Sequence, residues 1–124
     1  FGMPGTATFD PDHGLIRVTY AGVVTANELQ LALRDVVRLC RETGRLKVLA
    51  DCTQMTGGHD LFDLMELIAN FEARGVPHTF KEAVLMRGQL NRREIEFYET
   101  AALNRGFNVR IFEDEAAALA WLGA

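Results

Sequence analysis

The sequence predicts an α/β fold: a single mixed, mainly parallel five-stranded sheet carrying four helices, in the order ββαβαβαβα. Three observations carry this. Two short, nearly all-apolar runs, "LKVLA" and "FKEAVLM", have the composition of strands covered on both faces. Around them stand amphipathic stretches whose apolar residues recur three and four apart. The two kinds of segment alternate, which implies parallel neighbours joined by right-handed crossovers.

Each element has its own signal. Residues 1–5, "FGMPG", read as a flexible lead to one domain over 6–124. "TATFD" and "LIRVTYAG" flank "DPDHG", where Pro11 presets a turn and Gly14 can supply a positive φ. Leu15, Arg17 and Thr19 alternate with Ile16, Val18 and Tyr20, so the pair forms a β-hairpin, its first strand at a sheet edge. In "VTANELQLALRDVVRLCRETG", Thr25 and Glu28 form a capping box; Leu29, Leu33, Val36, Val37 and Cys40 share a face, and Gly44 ends the helix. "LKVLA" is the next strand. "DLFDLMELIANFEARG" carries an apolar stripe of Leu61, Leu64, Met65, Ile68 and Phe71, ended by Gly75 and Pro77. "FKEAVLM" is a strand. "NRREIEFYETAALNRG" opens with a second cap signature, Asn91 and Glu94, and closes on Gly106. "FNVRIF" alternates, and "DEAAALAWLG" is a last helix with Asp114 and Glu115 at its positive end.

Composition narrows the function. The net charge of -4 argues against nonspecific nucleic-acid binding, which draws on Lys and Arg. No apolar run approaches the roughly 20 residues that span a bilayer, and no signal-peptide pattern is present. Cys40 and Cys52 form no CxxC and read as reduced thiols, which places the chain in the cytoplasm. The chain contains no serine, so Ser-His-Asp catalysis and a serine phosphoswitch are both excluded.

In a parallel sheet, ligands bind beyond the carboxyl ends of the strands. Four loops should share that rim: 22–25, 51–60, 87–91 and 113–114. The second is the longest and most polar, "DCTQMTGGHD", with Asp51, Thr53, Thr56, His59 and Asp60 as a candidate partner-binding or switch loop. "GVVTAN" lacks the GxGxxG of a dinucleotide site, and no P-loop is present. A phospho-receiver would need an acidic pair after its first strand, which is missing. Cys52, His59 and Asp60 are too few for a zinc site, since His13 and His78 lie in other turns. No metal or cofactor is expected. Cys52 with His59 could form a nucleophilic pair, although no third, orienting group is evident. Arg87, Arg92 and Arg93 surround a helix start and are candidates for anion binding; a solvated face balancing Glu94 and Glu96 is the simpler reading. Leu61, Phe62, Met65, Phe97 and Tyr98 could line an apolar pocket. Trp121 and Leu122 read as core or interface residues, and Cys40 as packing.

The order of elements, "GLIRVTYAGVVTANEL", the strand "KVLAD" and the ending "RGFNVRIFEDEAAALAWL" resemble the STAS domain of anti-sigma-factor antagonists and sulphate-transporter tails. The resemblance is to its divergent bacterial branch, related to Sec14-like lipid-binding folds, and covers nearly the whole chain. It implies a regulatory module that binds a protein partner. In regulatory members a phosphorylatable Asp-Ser pair starts the helix after this strand. Here Asp51 matches the strand-ending Asp, but "GGHDLF" replaces the Asp-Ser-Ser-Gly segment, with Asp60 near the Ser position and only Thr53 and Thr56 offering hydroxyls. The expectation is therefore a cytoplasmic, non-catalytic interaction module acting through the 51–60 loop. The alternatives are a Sec14-like carrier or sensor of a small apolar ligand or lipid, and a thiol enzyme using Cys52. A homodimer through the first strand's free edge is a further expectation.

Overall fold

A computed structural model describes residues 5–124. The elements run β1 (Gly5–Asp10), β2 (Leu15–Val23), α1 (Ala26–Thr43), β3 (Lys47–Gly57), α2 (Leu61–Ala73), β4 (Lys81–Leu85), α3 (Arg92–Asn104), β5 (Asn108–Phe112) and α4 (Glu115–Leu122). The sheet order is β1-β2-β3-β4-β5. β1 is antiparallel to β2, and the remaining pairs are parallel. The class, the order and the edge position of the hairpin follow the sequence. Residues 1–4 of the expected flexible lead lie outside the described residues; Gly5, the last of the lead, is the first residue of β1 and pairs with Tyr20.

The helix ends follow their local chemistry. Thr25 and Glu28 form the reciprocal capping box, with Glu28 N donating to Thr25 Oγ1 at 3.2 Å and Thr25 N to Glu28 Oε1 at 2.9 Å. Gly44 takes the left-handed conformation that ends α1, at φ 71°. Asp60 caps α2 in a second box with Asp63. α3 departs from expectation. Its cap residue Asn91 is left-handed, at φ 57°, and makes no side-chain cap; its Nδ2 donates instead to the Met55 carbonyl on β3.

The alternation of strand side chains gives the sheet two unequal faces. One carries Ile16, Val18, Tyr20, Val48, Ala50, Cys52 and Val84 and is covered by α1, α2 and α3. The other carries Leu15, Leu49, Ala83 and Leu85 and is covered by α4 through Ala118 and Leu122, with Phe112 and Trp121 alongside. Phe71 centres the larger core, its ring meeting Phe80, Tyr98 and Phe107 edge-on at centroid distances of 5.7, 6.4 and 5.2 Å. The α2 stripe is rotated from its expected position: Leu64, Leu67, Ile68 and Phe71 are buried, whereas Met65 is exposed.

Candidate functional site

The longest expected loop is mostly strand. β3 continues past Asp51 to Gly57, pairing Ala21 with Gln54, Gly22 with Met55 and Val23 with Gly57. The pairing slips after Thr19 and again after Gly22, each time with an extra residue on β3. Thr is a good strand former, and buried Met55 between exposed Gln54 and Thr56 keeps the alternation of a half-buried strand. The turn into α2 is therefore only Gly58, His59 and Asp60.

That turn is tightly seated. Val24 N donates to Gly57 O at 2.8 Å, and His59 Nδ1 donates to Val24 O at 2.7 Å. Gly58 has φ +105°, and a Cβ there would stand 2.6 Å from Val24 O. The other loops join the same rim. Asn91 reaches Met55 O, Gly88 N donates to Glu113 Oε1 at 3.1 Å, and Arg92 reaches Glu113 Oε2 at 3.1 Å. The four loop regions expected at the carboxyl ends of the strands thus meet through one chain of hydrogen bonds.

The candidate switch residues do not form one set. Asp51 lies on the α4 side with Leu49, and its Oδ1 accepts from Thr53 N at 2.9 Å and Thr53 Oγ1 at 2.7 Å. Thr56 is exposed near the rim. Asp60 is committed to its helix, Oδ1 accepting from Asp63 N at 2.9 Å. Among the candidate anion ligands, Arg92 is engaged by Gly88 O, Glu96 and Glu113, while Arg87 and Arg93 are exposed. The expected apolar pocket is not lined as a unit either. Leu61 and Phe97 pack at the margin of the main core and Tyr98 is buried, but Phe62 and Met65 point outward, 65% and 48% exposed.

A different cavity is present between the sheet and α2 and α3, open on one side, with about 50 Å³ of interior space. Its walls include Leu29, Met55, Leu64, Leu67 and Ile95, and its polar groups are Tyr20, Cys52, His59, Glu82, Glu94 and Tyr98. Glu82 is the residue that sequence reading passed over. It stands second in β4, 8% exposed, and accepts from the Tyr98 hydroxyl at 2.5 Å. Burial pushes its carboxyl up to about 7, and the Tyr98 hydrogen bond pulls the other way. The available signal was an acid within a strand otherwise built for burial on both faces. Tyr98, whose hydroxyl would serve the rim if it reached outward, points inward instead.

Cys52 is poorly suited to nucleophilic chemistry. Burial raises its thiol far above the ordinary range, and Glu82 and Asp51 add to the shift. Cys40 is likewise pushed up to about 11, chiefly by burial. His59 lines the same cavity as Cys52, but its Nδ1 proton is given to Val24 O. Among the described residues, no three His, Cys, Asp or Glu side chains are grouped to hold a metal ion. No helix among them is long and apolar enough to cross a membrane.

Comparison with known proteins decides the family. The SpoIIAA-like family matches residues 15–123. The chain belongs to the SpoIIAA-like family. SpoIIAA-like domains, the STAS-type fold, are typically regulatory and interaction modules. Among solved structures, the chain is similar to an uncharacterised protein of the DUF3478 family from Shewanella loihica PV-4, which has a SpoIIAA-like fold. The two share 20% identity over 95% of this chain and 91% of that one, with a TM-score of 0.60, which supports the shared fold. No curated protein matches the chain.

Proposed function

We propose that this SpoIIAA-like chain is a non-catalytic regulatory module that binds a protein partner at the rim formed by the Gly58–Asp60 turn and the first turns of α2. The observation that carries the reading is the placement of exposed apolar side chains. Of the six large apolar side chains exposed among the described residues, four, Val23, Phe62, Met65 and Leu90, at 62%, 65%, 48% and 41%, stand at the carboxyl-end rim, while Phe9 and Leu103 lie elsewhere. Large apolar groups gathered at one place on a surface mark an interaction site more than scattered ones do. The backbone beneath is held by the Val24, Gly57 and His59 hydrogen bonds, so the rim presents a preformed surface. Thr56 and His59 flank it and supply polar selectivity.

A tagged protein would be used to capture partners, with a Phe62→Ser/Met65→Ser double variant compared against Phe9→Ser at the opposite end of the sheet. A partner lost by the first and kept by the second supports the reading. A partner kept by both, or lost equally by both, counts against it. The non-catalytic part carries its own expectation: iodoacetamide should alkylate both thiols more slowly than free cysteine at pH 8, because little thiolate forms.

A second reading, binding of a small apolar ligand, is favoured by the cavity between the sheet and α2 and α3. At about 50 Å³ its interior suits a short chain better than a lipid acyl tail.

A further inference from the structure

The cavity is not a plain apolar void. Its fully buried end holds Glu82, Tyr98, Tyr20 and Cys52, and its open side holds His59 and Glu94, both only partly buried as residues. Glu94 is in the first turn of α3, where a carboxylate ordinarily caps its own helix. Here the cap residue Asn91 is left-handed and spends its side chain on Met55 O. Glu94 is released from that duty, and its Oε2 is buried without a hydrogen-bond partner among the described residues. The nearest arginine in sequence with charge partners, Arg92, gives its guanidinium to Gly88, Glu96 and Glu113 instead. A buried carboxylate oxygen without a donor is costly, and a donor supplied from outside would meet the need. Glu82, more than nine-tenths buried, closes the inner end of the cavity and accepts from the Tyr98 hydroxyl through Oε1.

We propose that this cavity binds a small aliphatic ammonium ion, its charge on the Glu94 carboxylate and its chain along Leu29, Leu64 and Ile95. The inference rests on the small-ligand reading above and makes it specific. An ammonium brings three donors and a positive charge to an acceptor-only carboxylate, the stronger class of hydrogen bond. The Glu94 carboxylate and the net charge of -4 disfavour anions. Size sets the chain length. A cavity of roughly 150 Å³ holds benzene, so one of about 50 Å³ accommodates about two to three carbons, with the head group at the open side.

The test is a titration of the full chain with n-propylammonium chloride, 1-propanol and sodium propionate, followed by amide NMR shifts at Cys52, Leu64 and Ile95. Propylammonium should give saturable shifts at those amides and bind at least about tenfold more tightly than 1-propanol, with propionate weakest. Glu94→Gln, on a partly exposed helix position, should leave the rest of the spectrum unchanged and remove the preference for the ammonium. Leu64→Phe, which fills the cavity and leaves the charge alone, should abolish binding of both. Equal binding of 1-propanol, or an ammonium affinity unmoved by Glu94→Gln, overturns the proposal while the small-ligand reading stands. No saturable shift from any of the three probes by about 50 mM overturns both.

Discussion

On the three-helix face of the sheet, a carboxyl is buried among mainly apolar groups with one phenol donating to it; on the α4 face, a carboxyl near the surface is surrounded by donors. Glu82 is driven up to about 7 by burial. Asp10 is held down to about 2, first by Arg17 Nε at 2.7 Å and then by His13 Nδ1 at 2.9 Å, with the backbone of the hairpin turn adding to it. Arg17 also reaches Glu115 at 3.4 Å, so this cluster bridges the hairpin and α4. The difference shows what each face is built for. The larger face buries one strand carboxyl beside a cavity. The smaller face is held by a short helix over a modest apolar patch, with charge pairs at its margin.

The largest expected effect tests that asymmetry directly. Phe71→Ala removes the ring at the centre of three aromatic contacts and should cost about 3–5 kcal/mol, read from denaturant unfolding. Leu122→Ala, in the eight-residue α4, should cost less, about 2 kcal/mol, with hydrogen-exchange protection lost mainly in that helix. Equal global losses would remove the distinction between a primary and an accessory core.

The two carboxyls should then give opposite limbs to the stability–pH curve. Glu82 has a folded value above its ordinary 4.5, so the native state holds its proton more tightly than the unfolded chain. Its contribution is full below about 4.5 and is lost as the pH rises through about 7. The amount is on the order of 3 kcal/mol. Asp10 has a folded value below its ordinary 3.8; its contribution is present above that and is lost as the pH falls toward about 2. Thermal unfolding should therefore show a gain from pH 8 to pH 5 that Glu82→Gln abolishes, and an acid limb that Asp10→Asn reduces. A Glu82→Gln protein with the same pH profile as the parent would show that the buried carboxyl is already solvated.

Where the two faces meet at the rim, the glycine pair separates backbone strain from crowding. Both Gly57 and Gly58 have positive φ, but only at Gly58 would a methyl strike backbone, 2.6 Å from Val24 O. Gly58→Ala should cost about 1–3 kcal/mol and Gly57→Ala about 1 kcal/mol, because the latter meets open space and pays for conformation alone. Equal costs would mean that the turn can shift away from Val24, and that the rim is less rigid than its hydrogen bonds indicate.

The element order was legible because each helix and strand states its period and its ends locally: Thr25 with Glu28, Gly44, and the apolar run from Lys47. The site was legible only as a place. "CTQMTG" reads as a loop because its threonines and glycine are polar or small, yet pairing to β2 with two register slips makes it strand. Bulges depend on the neighbouring strand, which local pattern does not contain. Met65 fits the apolar stripe by spacing and Phe62 a pocket wall by composition, but the buried face of α2 is set by Leu67 and Phe71 against α3 and the sheet. Glu82 was hidden by the same rule that identified β4, since a run nearly all apolar draws attention away from its one acid. Glu94 has the spacing of a cap partner, an assignment that the left-handed Asn91 annuls.

The smallest expected effect concerns what fastens α4. Arg17 Nη2 and Glu115 Oε2 are 3.4 Å apart, and Glu115 is about half exposed. An exposed ion pair gains little in water and loses side-chain freedom on forming, so Glu115→Gln should change stability by no more than about 0.5 kcal/mol. That difference should vanish in about 1 M salt, where the screening length is roughly 3 Å. The hydrogen bond from Ala117 N to Asp114 Oδ2, at 3.1 Å, and the burial of Ala118 and Leu122 remain in the variant and should keep the helix docked. A loss above about 1 kcal/mol that persists in salt would show that the accessory face is held by this charge bridge. In that case α4 would be fastened through the hairpin, and the Asp10, Arg17 and Glu115 cluster would act as a clasp between the two.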